Sequence, residues 1–317
     1  MGKAIVKTII FGFIILLSCV LINWVLIPNS PNAYPAAKID KLRILARTPS
    51  PKVILVGGSN LAFSIDSRML AEHFRLPVVN MGLAKSVGLS YLLEETKPFI
   101  GDGDIIVVAP EYELFFDLFY GSDGLIVELQ YHPGGFECLT SWGEWQTVIS
   151  KFGPIMQAKF SGFLRTGTGS LEDSVYQRTG FNEFGDLETH LDANLGYETH
   201  ELFPDDTPFQ ESSTQVLNKF YEYALQQGAR VLFTWPPLVR EEFERHREKI
   251  WLLDQRLRKD LAVPIISKPE DYIFEMQYMY DTAYHLRREG RSIRTETLIR
   301  DMDATPGIGV GVDGQPA

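Results

Sequence analysis

Short apolar runs alternate with longer amphipathic stretches along most of the chain. Runs of strand length, rich in β-branched residues and bounded by turn formers, predict strands at 52–56, 77–81, 104–109, 229–235 and 263–267. Helical periodicity predicts helices at 67–74, with Asp66 as N-cap, and at 90–100, 211–227, 241–261 and 288–302. Strands that alternate with helices predict an α/β fold, a flavodoxin-like three-layer arrangement in which helices cover both faces of a parallel sheet.

Two segments depart from this alternation. Residues 112–208 are rich in Gly, Phe and Tyr and lack a clear period, which predicts a long insertion between the third and fourth strands, helical in parts, that covers or shapes the site. Residues 304–317 are rich in Gly and Pro, which predicts a disordered tail.

The N-terminus carries the longest apolar run of the sequence. After Lys3 and Lys7, residues 8–28 contain only apolar, small or weakly polar side chains. About 20 such residues match the hydrocarbon thickness of a bilayer, and the run is too long for a cleaved signal peptide. We therefore expect a single-pass membrane protein with an N-terminal transmembrane helix in residues 1–30, a linker at 31–51 and a folded domain at 52–303.

Charge and cysteine content argue against two classes of binding partner, nucleic acids and metal ions. The 317 residues carry a formal net charge of −11, and the basic residues are scattered rather than concentrated on one segment. A polynucleotide would need a dense basic surface, so we expect no nucleic-acid partner. The two cysteines, Cys19 and Cys138, provide neither a disulfide framework nor a paired-cysteine metal site, and we expect no metal.

A glycine-rich turn with a serine follows the first predicted strand. The sequence is Gly57-Gly58-Ser59-Asn60. Such a turn, leading into a helix at the carboxyl edge of a sheet, exposes the serine hydroxyl beside backbone N–H groups, as an activated nucleophile requires. The same pattern also fits a plain strand terminator or a phosphate-binding nest, although no Walker lysine follows the turn.

Two further segments are candidates for the same edge. Asn80-Met81-Gly82 ends the second predicted strand, and the Gly82 N–H is a candidate oxyanion donor. Asp281 precedes His285 by four residues after the last predicted strand. A carboxylate so placed can orient the imidazole and stabilise its protonated form.

The order of these motifs along the chain resembles the SGNH (GDSL-like) hydrolase superfamily. A serine follows the first strand, a glycine follows the second, and an Asp/His pair precedes the last helix. The resemblance covers roughly residues 52–300 without the insertion. It is closer to membrane-anchored members that acylate bacterial surface polymers, the alginate-acetylation and D-alanyl-transfer types. It implies Ser59 as nucleophile, His285 as base, Asp281 as its partner and Gly82 as an oxyanion donor, with no cofactor. The Ser59 N–H is a further candidate donor, and Asn60 or Asn80 is a candidate replacement for the oxyanion Asn of the superfamily.

The chain departs from the pattern of that superfamily at three places. Gly58 stands where the first block usually has Asp, and Asp281 and His285 are four residues apart rather than three. Pro110-Glu111-Tyr112-Glu113 follows the third strand, where the superfamily has an Asn that donates to the oxyanion. Glu111 and Glu113 at this edge also fit a paired-carboxylate acid/base site, exposed loop charges or groups that orient the histidine. Asn80 and Trp235 are further candidate pocket residues, and a plain strand stop explains Trp235 equally well.

The leading hypothesis is a membrane-anchored serine esterase or O-acyltransferase that acts on acylated cell-surface glycan or polymer. The resemblance implies an extracytoplasmic, periplasmic-side domain and a multi-pass membrane acyltransferase as partner. The charges that flank the anchor leave its orientation open, because Lys38, Lys41, Arg43 and Arg47 follow it closely. The alternative is a catalytically inactive SGNH scaffold that binds glycan or organises an envelope complex.

Overall fold

The computed structural model describes residues 2–21, 27, 29–166, 173–193, 202 and 207–308. Its central sheet contains four parallel strands: β1 (Val53–Gly57), β2 (Val78–Asn80), β3 (Ile105–Ala109) and β4 (Arg230–Phe233). Their order is β2-β1-β3-β4, the order of flavodoxin-like doubly wound sheets. The α/β class and the parallel sheet predicted from the apolar runs are thus confirmed.

The edge of the sheet beyond β4 is less regular than predicted. The apolar run at 263–267 forms only a single parallel bridge, from Ile265 to Phe233, instead of a full strand. Pro264 is the second residue of that run and has no N–H to donate to a ladder, which limits regular pairing. A separate parallel pair, β5 (Leu238–Val239) with β6 (Ile273–Phe274), was not predicted, because two residues are too few to show a period.

Helices cover both faces of the sheet. Their bounds are α1 (Gly2–Leu21), α2 (Ala37–Arg47), α3 (Ser59–Ser64), α4 (Ser67–Phe74), α5 (Leu89–Glu94), α6 (Asp123–Tyr131), α7 (Trp142–Thr166), α8 (Ser212–Gln226), α9 (Arg240–Asp260) and α10 (Arg288–Asp303). Alternate side chains of β1 point to opposite faces. Ile54 and Val56 pack in a large core with α5, α8 and α9, whereas Val53 and Leu55 pack with α3, α4 and α10.

The segment between β3 and α8 contains α6 and α7, which pack against each other. Residues 167–172, 194–201 and 203–206 of the predicted insertion lie outside the described residues. Residues 173–193 return to the carboxyl edge of the sheet, where Leu187 donates its N–H to the Ala62 carbonyl of α3. This return brings part of the insertion next to the turn that holds Ser59.

The two ends of the chain differ in how they pack. The apolar side chains of α1 whose burial is described are exposed, for example Ile9 at 65% and Phe13 at 63%. Within the described ranges, no helix combines the length and the apolar character needed to cross a bilayer. Residues 22–26 and 28 of the predicted anchor lie outside those ranges. At the other end, Ile308 is buried against the core beneath α10, and residues 309–317 of the predicted tail are outside the description.

Candidate active site

Ser59 lies at the carboxyl edge of the sheet, at the point where its strand order reverses. β1 ends at Gly57, and α3 begins two residues later at Ser59. β2 and β3 flank β1 on opposite sides, so a crevice opens beyond β1, where doubly wound sheets bind ligands. Ser59 is only partly buried, which leaves its hydroxyl within reach of a substrate.

The structure brings Ser59, His285 and Asp281 together in one hydrogen-bonded chain. His285 Nε2 lies 2.9 Å from Ser59 Oγ, and His285 Nδ1 lies 2.7 Å from Asp281 Oδ1. A carboxylate only accepts, so Nδ1 carries the ring proton and Nε2 is free to accept the serine proton. Residues 226 positions apart in sequence thus form the nucleophile–base–carboxylate arrangement of serine hydrolases.

The four-residue spacing of Asp281 and His285 is accommodated by a tight turn rather than by a helix. Met279 and Leu286 form an antiparallel bridge, and the Tyr280 N–H donates to the His285 carbonyl over 2.8 Å. The turn folds the carboxylate back onto the imidazole. Local hydrogen bonding therefore fixes the orientation of the base.

The short helix α3 holds the base as well as the nucleophile. Phe63, one helical turn after Ser59, stacks on the His285 ring with centroids 3.7 Å apart and planes 5° from parallel. Ser64 Oγ donates to the Tyr284 carbonyl at 2.8 Å and accepts the Leu286 N–H at 2.9 Å, on either side of His285. The segment Ser59–Ser64 thus contacts His285 on its ring face and on both flanking residues while it also supplies Ser59.

The surroundings of Asp281 keep its carboxylate ionised. Burial alone would raise the pKa of Asp281, but hydrogen bonds from His285 and Tyr176 and the charge of His285 outweigh it, and the pKa lies below its ordinary value. Asp281 is therefore ionised at neutral pH and can stabilise a protonated imidazole. Burial and the neighbouring Asp281 raise the pKa of Tyr176, which remains a neutral donor.

The predicted oxyanion donors differ in whether their N–H groups already donate to another group of the protein. The Ser59 N–H is the first of α3, a position that has no acceptor within a helix. The Gly82 N–H donates to Asn80 Oδ1 at 3.0 Å. The Asn60 N–H donates to Glu111, and its side-chain amide donates to the Ala109 carbonyl at 2.8 Å. The backbone of Ser59 is thus the donor best placed to receive a negative oxygen, and the other two hold the turn together.

Glu111 joins the end of β3 to the serine turn. Its side chain is fully buried and accepts the Gly58 N–H at 3.1 Å and the Asn60 N–H at 3.0 Å. A Cβ atom added to Gly58 would lie 2.5 Å from both carboxylate oxygens. This contact explains physically why glycine stands before the serine, and it makes Glu111 a buried acceptor rather than an exposed acid/base group.

A buried arginine supports the same turn from α10. Arg294 donates to the Asn60 carbonyl at 2.6 Å and to Asn60 Oδ1 at 2.7 Å. Burial lowers the pKa of its guanidinium to about 9. This role of Arg294 was not predicted, because nothing in the helical pattern of residues 288–302 marks one arginine as buried.

The remaining candidate pocket residues lie inside the fold. Asn80 is buried and donates to Asp186 and to the Leu61 carbonyl, and Trp235 is buried with its ring stacked on Tyr112 at 5.3 Å. The structure therefore places Asn80 and Trp235 in the core rather than on a pocket wall. Glu113 accepts the Tyr284 hydroxyl at 2.7 Å and pairs with the Lys85 ammonium group near the serine turn.

A second histidine packs behind the triad and gives a pH-dependent prediction. His190 Nε2 lies 2.9 Å from the Phe63 carbonyl and 3.0 Å from that of Leu286, so this nitrogen carries the proton. Burial and the nearby charge of His285 lower the pKa of His190 to about 4. The folded state therefore holds the neutral ring.

We expect the free energy of unfolding to fall as the pH drops from about 6.5 to about 4, because the unfolded chain then binds a proton that folded His190 excludes. The loss reaches about 3 kcal/mol at the acid end. Urea titrations at several pH values should give a shallower slope for His190→Gln, which keeps an N–H donor and does not titrate. An unchanged slope in the variant would assign the acid sensitivity to other groups.

Within the described residues, no group of three His, Cys, Asp or Glu side chains is arranged to hold a metal ion. Comparisons with protein families, with curated proteins and with solved structures give no match to this chain.

Proposed function

We propose that this chain is a serine esterase or O-acyltransferase in which Ser59 is the nucleophile, His285 the general base and Asp281 the carboxylate that orients it. The observation that carries the proposal is the continuous hydrogen-bonded chain of 2.9 Å and 2.7 Å through the two ring nitrogens of His285. A serine hydroxyl is a weak nucleophile unless such a base takes its proton.

The reaction follows from these contacts. As Ser59 Oγ attacks the carbonyl carbon of an ester, its proton passes to His285 Nε2, and the carbonyl oxygen becomes an oxyanion next to the Ser59 N–H. The intermediate collapses when His285 returns the proton to the leaving alcohol, which leaves an acyl group on Ser59. Water or a sugar hydroxyl then attacks this ester with His285 again as base, which gives hydrolysis or transfer respectively.

The proposal extends to membership of the SGNH hydrolases and to an acylated surface glycan or polymer as substrate. It is supported by the order of Ser59, Gly82, Asp281 and His285 along a parallel α/β domain. The exposed apolar side chains of α1 support association of the N-terminus with a membrane. A multi-pass membrane acyltransferase as the source of the acyl group belongs to the same proposal.

The second candidate is a glycan-binding scaffold of the same fold without catalysis. The engagement of the Gly82 and Asn60 N–H groups by protein acceptors favours it, because fewer donors then face an oxyanion. The intact serine–histidine–aspartate contact favours the enzyme, since a binding site has no need for a proton acceptor on its serine.

Covalent labelling separates the two candidates. Full-length protein in detergent is treated with an alkyl fluorophosphonate, and the adduct is located by intact mass and peptide mapping. We expect one adduct on Ser59, none in Ser59→Ala and normal labelling in Ser292→Ala, which removes a surface hydroxyl of α10. Folded wild-type protein that stays unlabelled would contradict the proposed enzymatic function and favour the glycan-binding scaffold.

A further inference from the structure

Tyr176 contacts the triad from a segment that the sequence analysis assigned to the insertion. Its hydroxyl donates to Asp281 Oδ2 at 2.5 Å, the carboxylate oxygen that His285 does not use, and lies 3.3 Å from His285 Nδ1. Each oxygen of Asp281 is therefore bound by a different donor. A carboxylate bound at both oxygens cannot rotate freely about its terminal torsion.

The local structure around Tyr176 fixes its side chain. The Asp173 carboxylate accepts the N–H groups of Val175 and Tyr176 at 2.7 and 2.9 Å. The Tyr176 ring packs edge-on against Tyr34 at 5.3 Å and lies 5.2 Å from Phe63, the ring that stacks on His285. One aromatic cluster thus supports both the base and the hydroxyl that binds its carboxylate.

The residues after Tyr176 attach this cluster to the linker that follows α1. Ala33 and Gln177 form an antiparallel bridge, and the Asn32 carbonyl accepts the Arg178 N–H at 2.9 Å. The Arg178 guanidinium donates to both carboxylate oxygens of Asp40, at 2.5 and 2.8 Å. Paired contacts of this kind fix orientation as well as distance.

We propose that Tyr176 is a positioning residue of the triad and that residues 31–40 of the linker hold it in place. The segment between the N-terminal helix and the domain is then part of the active site rather than a passive spacer. This inference rests on the proposed function, because positioning has a purpose only if His285 acts as a base. It assigns to the insertion a role in catalysis that acts through the orientation of Asp281.

The kinetic experiment compares Tyr176→Phe with Tyr223→Phe in the full-length protein, with p-nitrophenyl acetate as substrate. Both variants remove one tyrosine hydroxyl that donates a hydrogen bond, and Tyr223 donates to the Lys97 carbonyl away from the triad. We expect kcat to fall about tenfold in Tyr176→Phe with KM nearly unchanged, and no effect in Tyr223→Phe. Wild-type kcat in Tyr176→Phe would overturn the proposal.

A second readout does not need turnover. The proton that His285 Nδ1 shares with Asp281 gives a downfield proton NMR signal, and we expect this signal to move in Tyr176→Phe and to remain in Tyr223→Phe. If the wild-type protein does not hydrolyse the ester but the NMR signal moves in Tyr176→Phe, the proposed enzymatic function is wrong, whereas the contact by which Tyr176 positions Asp281 is supported. A signal identical to wild type in Tyr176→Phe would refute the positioning role, whatever the activity.

The role of the linker is tested by Arg178→Ala against Arg240→Ala. Arg240, the first residue of α9, makes an exposed ion pair with Glu275 and serves as the control. We expect Arg178→Ala to reproduce, in smaller degree, the fall in kcat and the shift of the NMR signal seen in Tyr176→Phe. If Arg178→Ala matches wild type in both, the linker does not hold Tyr176.

Discussion

Replacement of His285 by alanine is expected to lower kcat/KM for p-nitrophenyl acetate by at least about a thousandfold. Without the ring, the Ser59 hydroxyl loses the acceptor of its proton, and the leaving alcohol loses its proton donor. Asp281→Asn should cost a similar factor, because an amide N–H opposite His285 Nδ1 favours the tautomer that carries the proton on Nε2. Both effects are measured as steady-state ester hydrolysis by purified full-length protein.

The matched control is a second Asp–His pair far from the site. His73 Nε2 lies 2.9 Å from Asp303 on the protein surface. His73→Ala should leave kcat/KM within about twofold of wild type. If His285→Ala retained wild-type kcat/KM, an ester-hydrolysing wild type would have to use another base, and the proposed mechanism would be wrong.

Replacement of Glu111 by alanine is expected to have the largest effect on stability. The change removes the acceptor of two buried N–H groups, those of Gly58 and Asn60, and each unsatisfied group costs about 1–3 kcal/mol. We therefore expect a loss of about 2–6 kcal/mol in the free energy of unfolding from urea titration. Because these N–H groups flank Ser59, labelling by the fluorophosphonate should slow as well, even where the variant remains folded.

Two further variants make the Glu111 experiment specific. Glu111→Gln keeps one acceptor oxygen but turns an amide donor towards a backbone N–H, so we expect an intermediate loss. Glu275→Ala removes a half-exposed carboxylate that pairs with Arg240 and should change the unfolding free energy by less than about 1 kcal/mol. A Glu111→Ala variant as stable as wild type would show that the serine turn does not depend on this carboxylate.

The strands that build the sheet were predictable because their signal is local. β1 and β3 are continuous β-branched runs, as expected of strands buried on both faces, and the structure contains them almost as predicted. The carboxyl ends of parallel strands share one edge, so the position of Ser59 there followed from the fold class. Asp281 and His285 were found by the proximity of a carboxylate to a histidine, a pattern that is also local.

The supports of the site were not predictable in the same way. The position of Glu111 after the third strand placed it at this edge but did not show its contact with the serine turn. Glu111, Arg294 and Tyr176 act through contacts with residues 51 to 234 positions away, and their neighbours in sequence do not indicate those partners. Burial of a charged or polar side chain depends on its partner, and one sequence without its fold does not show the partner. The glycine before Ser59 looked like a departure from a motif until Glu111 was seen to occupy the adjacent space.

Helix α3 has a consequence for how this domain can diversify. Six consecutive residues supply three parts of the site: the serine, the phenyl ring that stacks on the base, and the Ser64 hydroxyl that bonds on both sides of the base. These three contributions to the hydroxyl–imidazole contact thus come from one small unit, and none of them comes from α6 or α7. Changes of length or sequence in those outer helices can alter which molecules reach the serine while the reacting atoms keep their spacing, so substrate range and chemistry can evolve separately.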